Sequence, residues 1–333
     1  MRDTLVSDVR HAALIEHALA TYPRVDWQPM AGLGTSDLLA RLWEKQVPYI
    51  VADSNEVIVS QRFYPELRVA FDLTEPQPLA WAFPKGRDDS LMLAADAFFQ
   101  RIHENGQLQQ LRERYYGHVR EFDYVGVRRF MRHIEQRLPK YETIFRQAAS
   151  EHSHDWRLLA AIGYQESHWD PQAVSPTGVR GIMMLTDRTA SELGVADRLD
   201  PIASIGGGSA YLRYILQRLP VHIENPDRTW LALAAYNIGY GHLQDARILT
   251  RKRGGNPDRW MDVKESLPLL AEEQWYKDTR YGYARGVEAV QYVQHIRSYY
   301  DMLVWQTKPD AKPITVASST ATQNLAALSA PVL

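Results

Sequence analysis

Cysteine is absent from this chain of 333 residues. A disulfide framework and a thiolate metal site are both excluded, and neither an oxidising nor a reducing compartment is selected. No stretch is apolar enough to span a bilayer. The opening Met1-Arg-Asp-Thr-Leu-Val-Ser-Asp-Val-Arg10 lacks the long apolar core of a signal peptide, so no export signal is expected there. The formal net charge is only -2 and no long basic block occurs, which sets general nucleic-acid binding aside. A repeat of the solenoid kind is also missing. With 45% hydrophobic and 23% charged residues the composition is that of an ordinary globular protein, and the length allows two domains.

What is present divides the chain. Up to Gly117, strand and helix signals alternate. Strands are predicted at residues 3–6, 26–29, 49–52, 57–59, 67–71 and 79–83, and helices at 12–22, at 36–44 with Ser36 or Thr35 as cap, and at 90–115 with Gly117 as stop. Such punctuation predicts α/β structure over residues 1–117. Beyond it, strand signals nearly vanish. A linker and leading helix are predicted over 118–140 and an all-helical domain over 141–306, with helices at 125–137, 141–151, 156–166, 187–193, 201–219, 229–237, 243–252 and 286–304. Pro139, Pro171, Pro220, Pro226 and Pro268 fall between them, as helix breakers should. The Ala/Ser/Thr-rich tail at 307–333 has little to bury and is expected to be disordered. The fold class expected is therefore α+β with two domains.

Glu166 is the most informative residue. Leu158, Ile162 and Glu166 recur every four residues, so a carboxyl group shares a helical face with aliphatic side chains. Loss of hydration there raises its pKa and suits it to general acid work. The alternative is a helix-end glutamate that simply reaches water. The helix then breaks at Ser167-His-Trp-Asp-Pro171, before the loop Val174-Ser-Pro-Thr-Gly-Val-Arg-Gly181. Gly178-Val-Arg-Gly-Ile-Met-Met-Leu185 lets the backbone approach a ligand with Met183 and Met184 packed beneath it. Ala234-Ala-Tyr-Asn-Ile-Gly-Tyr-Gly241 suits the gripping of a sugar ring and its N-acetyl group, or is a glycine cap with packed tyrosines.

Taken in order, these segments resemble the catalytic domain of lytic murein transglycosylases, a goose-lysozyme-like helical (SLT) fold. Glu166-Ser167 matches that family's catalytic Glu-Ser and Gly181-Ile-Met-Met its Gly-Leu-Met-Gln. Ala235-Tyr-Asn-Ile-Gly239 matches its Ala-Tyr-Asn-Ala-Gly, and Glu288-Ala-Val-Gln-Tyr292-Val its Glu-Thr-Arg-x-Tyr-Val. Met184 departs from the pattern, standing where many members have a substrate-contacting glutamine. The Gly-Ile-Met-Met-Leu form behind an α/β region resembles the branch called membrane-bound lytic murein transglycosylase F. There a module similar to family 3 solute-binding proteins of ABC transporters comes first. Pro48-Tyr-Ile-Val-Ala-Asp53 resembles a strand of that module ending in a ligand-contacting aspartate, although Asp53 reads equally as a strand-end cap. Residues 1–117 then correspond to a partial periplasmic-binding-protein-like lobe, and most of the first lobe is expected to be missing.

The resemblance implies a peptidoglycan-cleaving lyase in which Glu166 is the single acid/base and the product carries a 1,6-anhydro-N-acetylmuramic acid end. Ser175, Met183, Met184, Tyr236, Asn237 and Tyr292 are the implied substrate-side residues, with Asp53 as a regulatory contact for a muropeptide or amino acid. Asp170 reads as a turn residue and Asp187 as a helix cap. No cofactor or metal is implied, and His152, His154 and His168 show no metal-binding pattern. The implied partner is the glycan strand of peptidoglycan, met by a monomer at the periplasmic face of a Gram-negative outer membrane. The rivals are a non-catalytic peptidoglycan-binding protein and a muramidase-type hydrolase.

Overall fold

The computed structural model describes residues 4–8, 11, 15–16, 26–61, 63–64, 67–76, 78–86, 88–118 and 124–307. They form two compact units, Met1–Gln109 and Gln110–Leu333. Most of the helix predicted at 12–22 and nearly all of the tail predicted at 307–333 lie outside the described residues.

The first unit holds a three-stranded parallel sheet in the order β2-β1-β3, from β1 (Thr4–Asp8), β2 (Asp26–Met30) and β3 (Tyr49–Val51). Central β1 pairs Leu5 with Trp27 on one side and with Tyr49 on the other. Helix α1 (Thr35–Trp43) crosses from β2 to β3 and brings Leu38 onto Val6 and Val47, closing a small apolar core. Its N-cap is Gly34 rather than Ser36 or Thr35, with the Gly34 N–H donating to the Asp37 carboxylate at 3.1 Å.

Three strand predictions in this unit fail. Residues 57–59 belong to helix α2 (Ser54–Ser60). Asp53-Ser-Asn-Glu56 is a helix-opening sequence that outweighs three β-branched residues. Residues 67–71 and 79–83 form no strand, and Phe71, Leu79 and Trp81 are exposed, because among the described residues no fourth strand offers a ladder to pair with. The helix predicted at 90–115 divides into α3 (Ser90–Glu104) and α4 (Gln107–Tyr116). Gly106, at φ +75°, ends the first, and the Asn105 carboxamide accepts the Gln107 N–H at 2.9 Å to start the second.

The second unit is helical among its described residues, apart from isolated bridges at Val174, Arg180 and Leu185. It begins inside α4, a few residues before the expected boundary. The reason is Glu113, whose carboxylate meets Arg297 at 3.0 Å and Lys264 at 2.6 Å. The buried Arg297 guanidinium lies 3.9 Å from the Trp230 ring and also donates to the Glu113 and Arg114 carbonyls.

Helices α5 (Tyr124–Gln136), α6 (Glu142–His152), α7 (Trp156–Ser167), α8 (Asp187–Glu192), α9 (Pro201–Arg218), α10 (Asp227–Ile238), α11 (Tyr240–Lys252), α12 (Trp260–Lys264), α13 (Glu273–Tyr276) and α14 (Gly286–Gln306) follow. Helix α7 is the spine, buried along Trp156 and Leu158–Tyr164 and packed on α6, α9 and α14. Its Asp155 cap accepts the Arg157 N–H at 2.9 Å through one carboxylate oxygen and the Tyr300 hydroxyl, from α14, at 2.9 Å through the other. The short α12 and α13 were not foreseen.

Candidate active site

Helix α7 ends where His168 (φ 53°) and Trp169 (φ 58°) both turn left-handed. The Trp169 ring folds back into the core, its indole N–H donating to the Ala160 carbonyl at 2.8 Å. This stop leaves Glu166 on the last turn, ringed by protein yet keeping partial solvent access. Burial pushes its carboxyl up to about 7 from 4.5, against the opposing pull of one hydrogen bond. That bond comes from the Tyr292 hydroxyl of α14, at 2.5 Å from Oε1. No neighbouring carboxylate contributes to the shift among the described residues. Glu166 therefore sits near the midpoint of its titration at neutral pH, able both to give and to take a proton.

Two further tyrosines line this wall. The Tyr236 ring lies parallel to Tyr292, 6.5 Å away at 15°, and its hydroxyl donates to the Met183 carbonyl at 3.2 Å. Tyr211 of α9 meets Tyr236 edge-on at 5.1 Å. Burial and the Glu166 charge push the hydroxyls of Tyr236 and Tyr292 well up, so both remain neutral donors.

The loop facing Glu166 is fastened from several sides. Ser167 Oγ donates to the Ile182 carbonyl at 2.9 Å. Arg198 donates to the carbonyls of Gly178 (3.1 Å) and Leu185 (2.9 Å) and pairs with Asp187. Gly181, at φ +80°, passes so close that a Cβ would lie 1.8 Å from the Arg198 carbonyl oxygen. Gly163 of α7 and Gly208 of α9 leave room for Met183, whose side chain is fully buried between them.

Met183 is therefore a packing residue, and only its carbonyl turns toward the site; its expected place beside the substrate is corrected on that ground. Met184 is half-buried and adopts φ 47°, a left-handed conformation unusual for a side chain of its size. Ser175 does not reach Glu166. Its hydroxyl is 3.0 Å from that of Thr177 and accepts the Val179 N–H at 3.2 Å, closing its own turn. Asn237 is exposed beside Tyr236, on the wall of a cavity of about 310 Å³ that also touches His242, Tyr283, Arg285 and Glu288.

In the first unit, Asp53 is the residue before α2, just past β3, and its carboxylate lies 3.5 Å from His11. Asp170 accepts the Gln172 N–H, a turn role. His152 and His154 are occupied with Ser209. Two residues that sequence reasoning missed shape the site without touching Glu166. Arg198 is one, and the buried Asp245, which accepts the N–H groups of Arg280 and Tyr281 and hangs the segment leading to α14, is the other. Neither carries a local signal, since both bind backbone far away in the chain.

Residues 143–258 match a family model described as "Transglycosylase SLT domain". The chain is 53% identical over 298 residues to "Membrane-bound lytic murein transglycosylase F" of Stutzerimonas stutzeri, covering 90% of this chain and 61% of that protein. It is 53% identical over 308 residues to the protein of the same name in Marinobacter nauticus, covering 92% and 61%. The chain thus spans about three fifths of the length of these curated relatives. A crystal structure of the 70 kDa soluble lytic transglycosylase of Escherichia coli overlaps 50% of this chain and 24% of its own at 23% identity, with a TM-score of 0.38. Among the described residues no helix is long and apolar enough to cross a membrane.

Proposed function

From a chain that is homologous over nine tenths of its length to proteins named membrane-bound lytic murein transglycosylase F, and that carries an SLT domain, we propose a peptidoglycan lytic transglycosylase. The observation that carries the proposal is the Glu166 carboxyl, poised near pH 7, held by Tyr292 and, among the described residues, shifted by no other carboxylate. Glycosidases that add water usually divide the work between two carboxyl groups. One suffices when the substrate supplies the second nucleophile.

Glu166 protonates the oxygen joining N-acetylmuramic acid to N-acetylglucosamine, and the bond from that oxygen to C1 breaks. The 2-acetamido group stabilises the positive charge developing at C1. Glu166, now ionised, accepts the proton of the muramic acid C6 hydroxyl as O6 closes onto C1. The product is a 1,6-anhydro end, no water is consumed, and Glu166 recovers its proton. Tyr292 donates to the carboxylate between the two steps, and Tyr236 and Asn237 hold the sugar beside the cleavage point.

Mass spectrometry of products from peptidoglycan sacculi tests this, with Glu166→Gln alongside. Anhydro ends from the parent alone are expected. Reducing ends, heavier by one water, would transfer the reading to a hydrolase, and a folded parent without products would leave a glycan-binding protein.

Residues 1–117 belong, on this reading, to a solute-binding-protein-like lobe, and residues 141–306 to the catalytic domain. In parallel sheets ligands gather beyond the carboxyl ends of the strands, which is where Asp53 stands after β3. An amino acid or muropeptide is the ligand class that fits an exposed carboxylate there. The names of the relatives favour action at a membrane, and on this reading it is the periplasmic face of the outer membrane. A thermal shift with muropeptides in the parent, lost in Asp53→Ala, is the expected result for the lobe.

A further inference from the structure

Positive charge gathers on the side of α7 that faces away from Glu166. On α5, Arg129, Arg132 and His133 recur at spacings of three and four residues, and Arg137 follows four residues later, so the four share one side of the helix. Val127 and Phe130 anchor that helix in the core. Across from it stands Tyr164, two residues before Glu166 and therefore on the opposite side of α7, with its hydroxyl 3.1 Å from His133 Nδ1. The His168 ring lies 4.8 Å from that of Tyr164 and 6.3 Å from that of His133. Arg137 Nη1 donates to the His168 carbonyl at 2.9 Å.

These cations lack a counter-charge. Arg129 and Arg132 are exposed and form no ion pair among the described residues. Burial, and then the positive charges of Arg137, His168, Arg132 and Arg129, push His133 down to about 4. His168 is lowered in the same way, by burial and then by Arg129 and Arg137. No carboxylate acts on either imidazole, and the neighbouring Asp170 acts on Tyr141 instead. Glu135 is two residues from His133, on another side of α5. The other titratable groups packed here are hydroxyls, Tyr164 of α7 and Tyr299 of α14, with rings 4.7 Å apart.

A carboxylate satisfies one guanidinium fork. A phosphoryl group carries about two negative charges near neutral pH and offers oxygens to several guanidinium groups at once. We propose that Arg129, Arg132, Arg137, His133 and His168 form a binding site for a phosphoryl group, either free in solution or at the head of a lipid. The site is independent of the transglycosylase reading, since none of the five acts on the Glu166 carboxyl. A bound anion favours the imidazolium form, so His133 takes a proton from solvent as the ligand arrives.

Histidine-selective NMR of the whole chain tests this by pH titration in inorganic phosphate and in chloride of equal ionic strength. Loss of signal in His133→Gln and His168→Gln identifies the two rings. Phosphate is expected to raise the titration of His133 by at least about one unit and to saturate. The double variant Arg129→Gln with Arg132→Gln should weaken that response about tenfold or more, and because both side chains are exposed its melting temperature should stay near the parent's. A second arm sediments the protein with vesicles of phosphatidylcholine, with and without phosphatidylglycerol. Saturation by phosphate without vesicle binding assigns a soluble ligand, whereas binding that requires both phosphatidylglycerol and the two arginines assigns a lipid headgroup. A histidine response no larger in phosphate than in chloride, together with no vesicle binding, overturns the site. So does a double variant that behaves like the parent in both arms.

Discussion

Exchanging Glu166 for Gln should make the helical unit more stable, by an amount that depends on pH. The folded chain holds the Glu166 proton up to about pH 7, whereas an unfolded chain releases it near 4.5. Below the lower value both states are protonated, and the advantage of a neutral buried carboxyl is fully present. As pH climbs from 4.5 to about 7 that advantage drains away, because the folded state must either keep a proton the solvent no longer supplies or bury a charge. The gap corresponds to about 3 kcal/mol above neutrality. Partial solvent access to the cleft makes this figure a ceiling.

Glutamine carries no such liability, and its carbonyl can still accept from Tyr292. The difference in stability between variant and parent should therefore grow with pH and level off above about 7. For a unit of this size it amounts to an upward shift in Tm of about 6–12 °C at most. Calorimetric melts of both proteins from about pH 4 to about pH 8 read it directly. A difference that stays flat across the range would refute the claim that burial holds the carboxyl protonated, and with it the poised acid.

Other substitutions probe the supports of the site. Tyr292→Phe removes the donor that favours the carboxylate, so the alkaline limb of the pH–rate profile should move up by about one unit; a limb that stays put would mean the contact does not tune the acid. Arg198→Ala leaves the Gly178 and Leu185 carbonyls without their donor and should cost about 2–3 kcal/mol in urea denaturation, a loss under about 0.5 kcal/mol counting against its fastening role. Gly286→Ala would set a Cβ 1.7 Å from the Leu267 carbonyl oxygen and should cost about 3 kcal/mol or more. Gly206→Ala, with no atom within 4 Å, should instead stabilise α9 by about 0.5–1 kcal/mol, and thermal melts of the pair check the contrast.

The helical half was legible because its signals are local. Apolar residues recur at helical spacing, prolines fall between the helices, and Asp155 and Asp200 stand at N-caps, so α6, α7, α9, α10 and α14 begin and end within a few residues of expectation. Single-turn helices such as Glu273–Tyr276 carry too short a pattern to read. Strands were harder, since a strand exists only with a partner: Tyr49–Val51 has β1 beside it, whereas residues 67–71 and 79–83 find no ladder among the described residues and stay irregular.

At the site, a carboxyl on an apolar helical face pointed to Glu166 directly. Tyr236 stood out in a segment suited to gripping a sugar, whereas Tyr292 came only through family resemblance, because nothing local distinguishes it from the other tyrosines of α14. The turn that captures Ser175, the glycine gap that swallows Met183, and the long-range reach of Arg198 and Asp245 depend on chain segments meeting in space.

Glu166 and Tyr292 stand 126 residues apart, and the cavity beside Asn237 is walled by the start of α14. A nascent chain that has only reached α13 owns its acid but not the hydroxyl that steadies it, nor the wall that would seat a substrate. On the transglycosylase reading proposed above, activity is thereby tied to the synthesis of α14. On the same reading, proteolysis that clipped off the last helix would silence the protein, since Tyr292 would go with it.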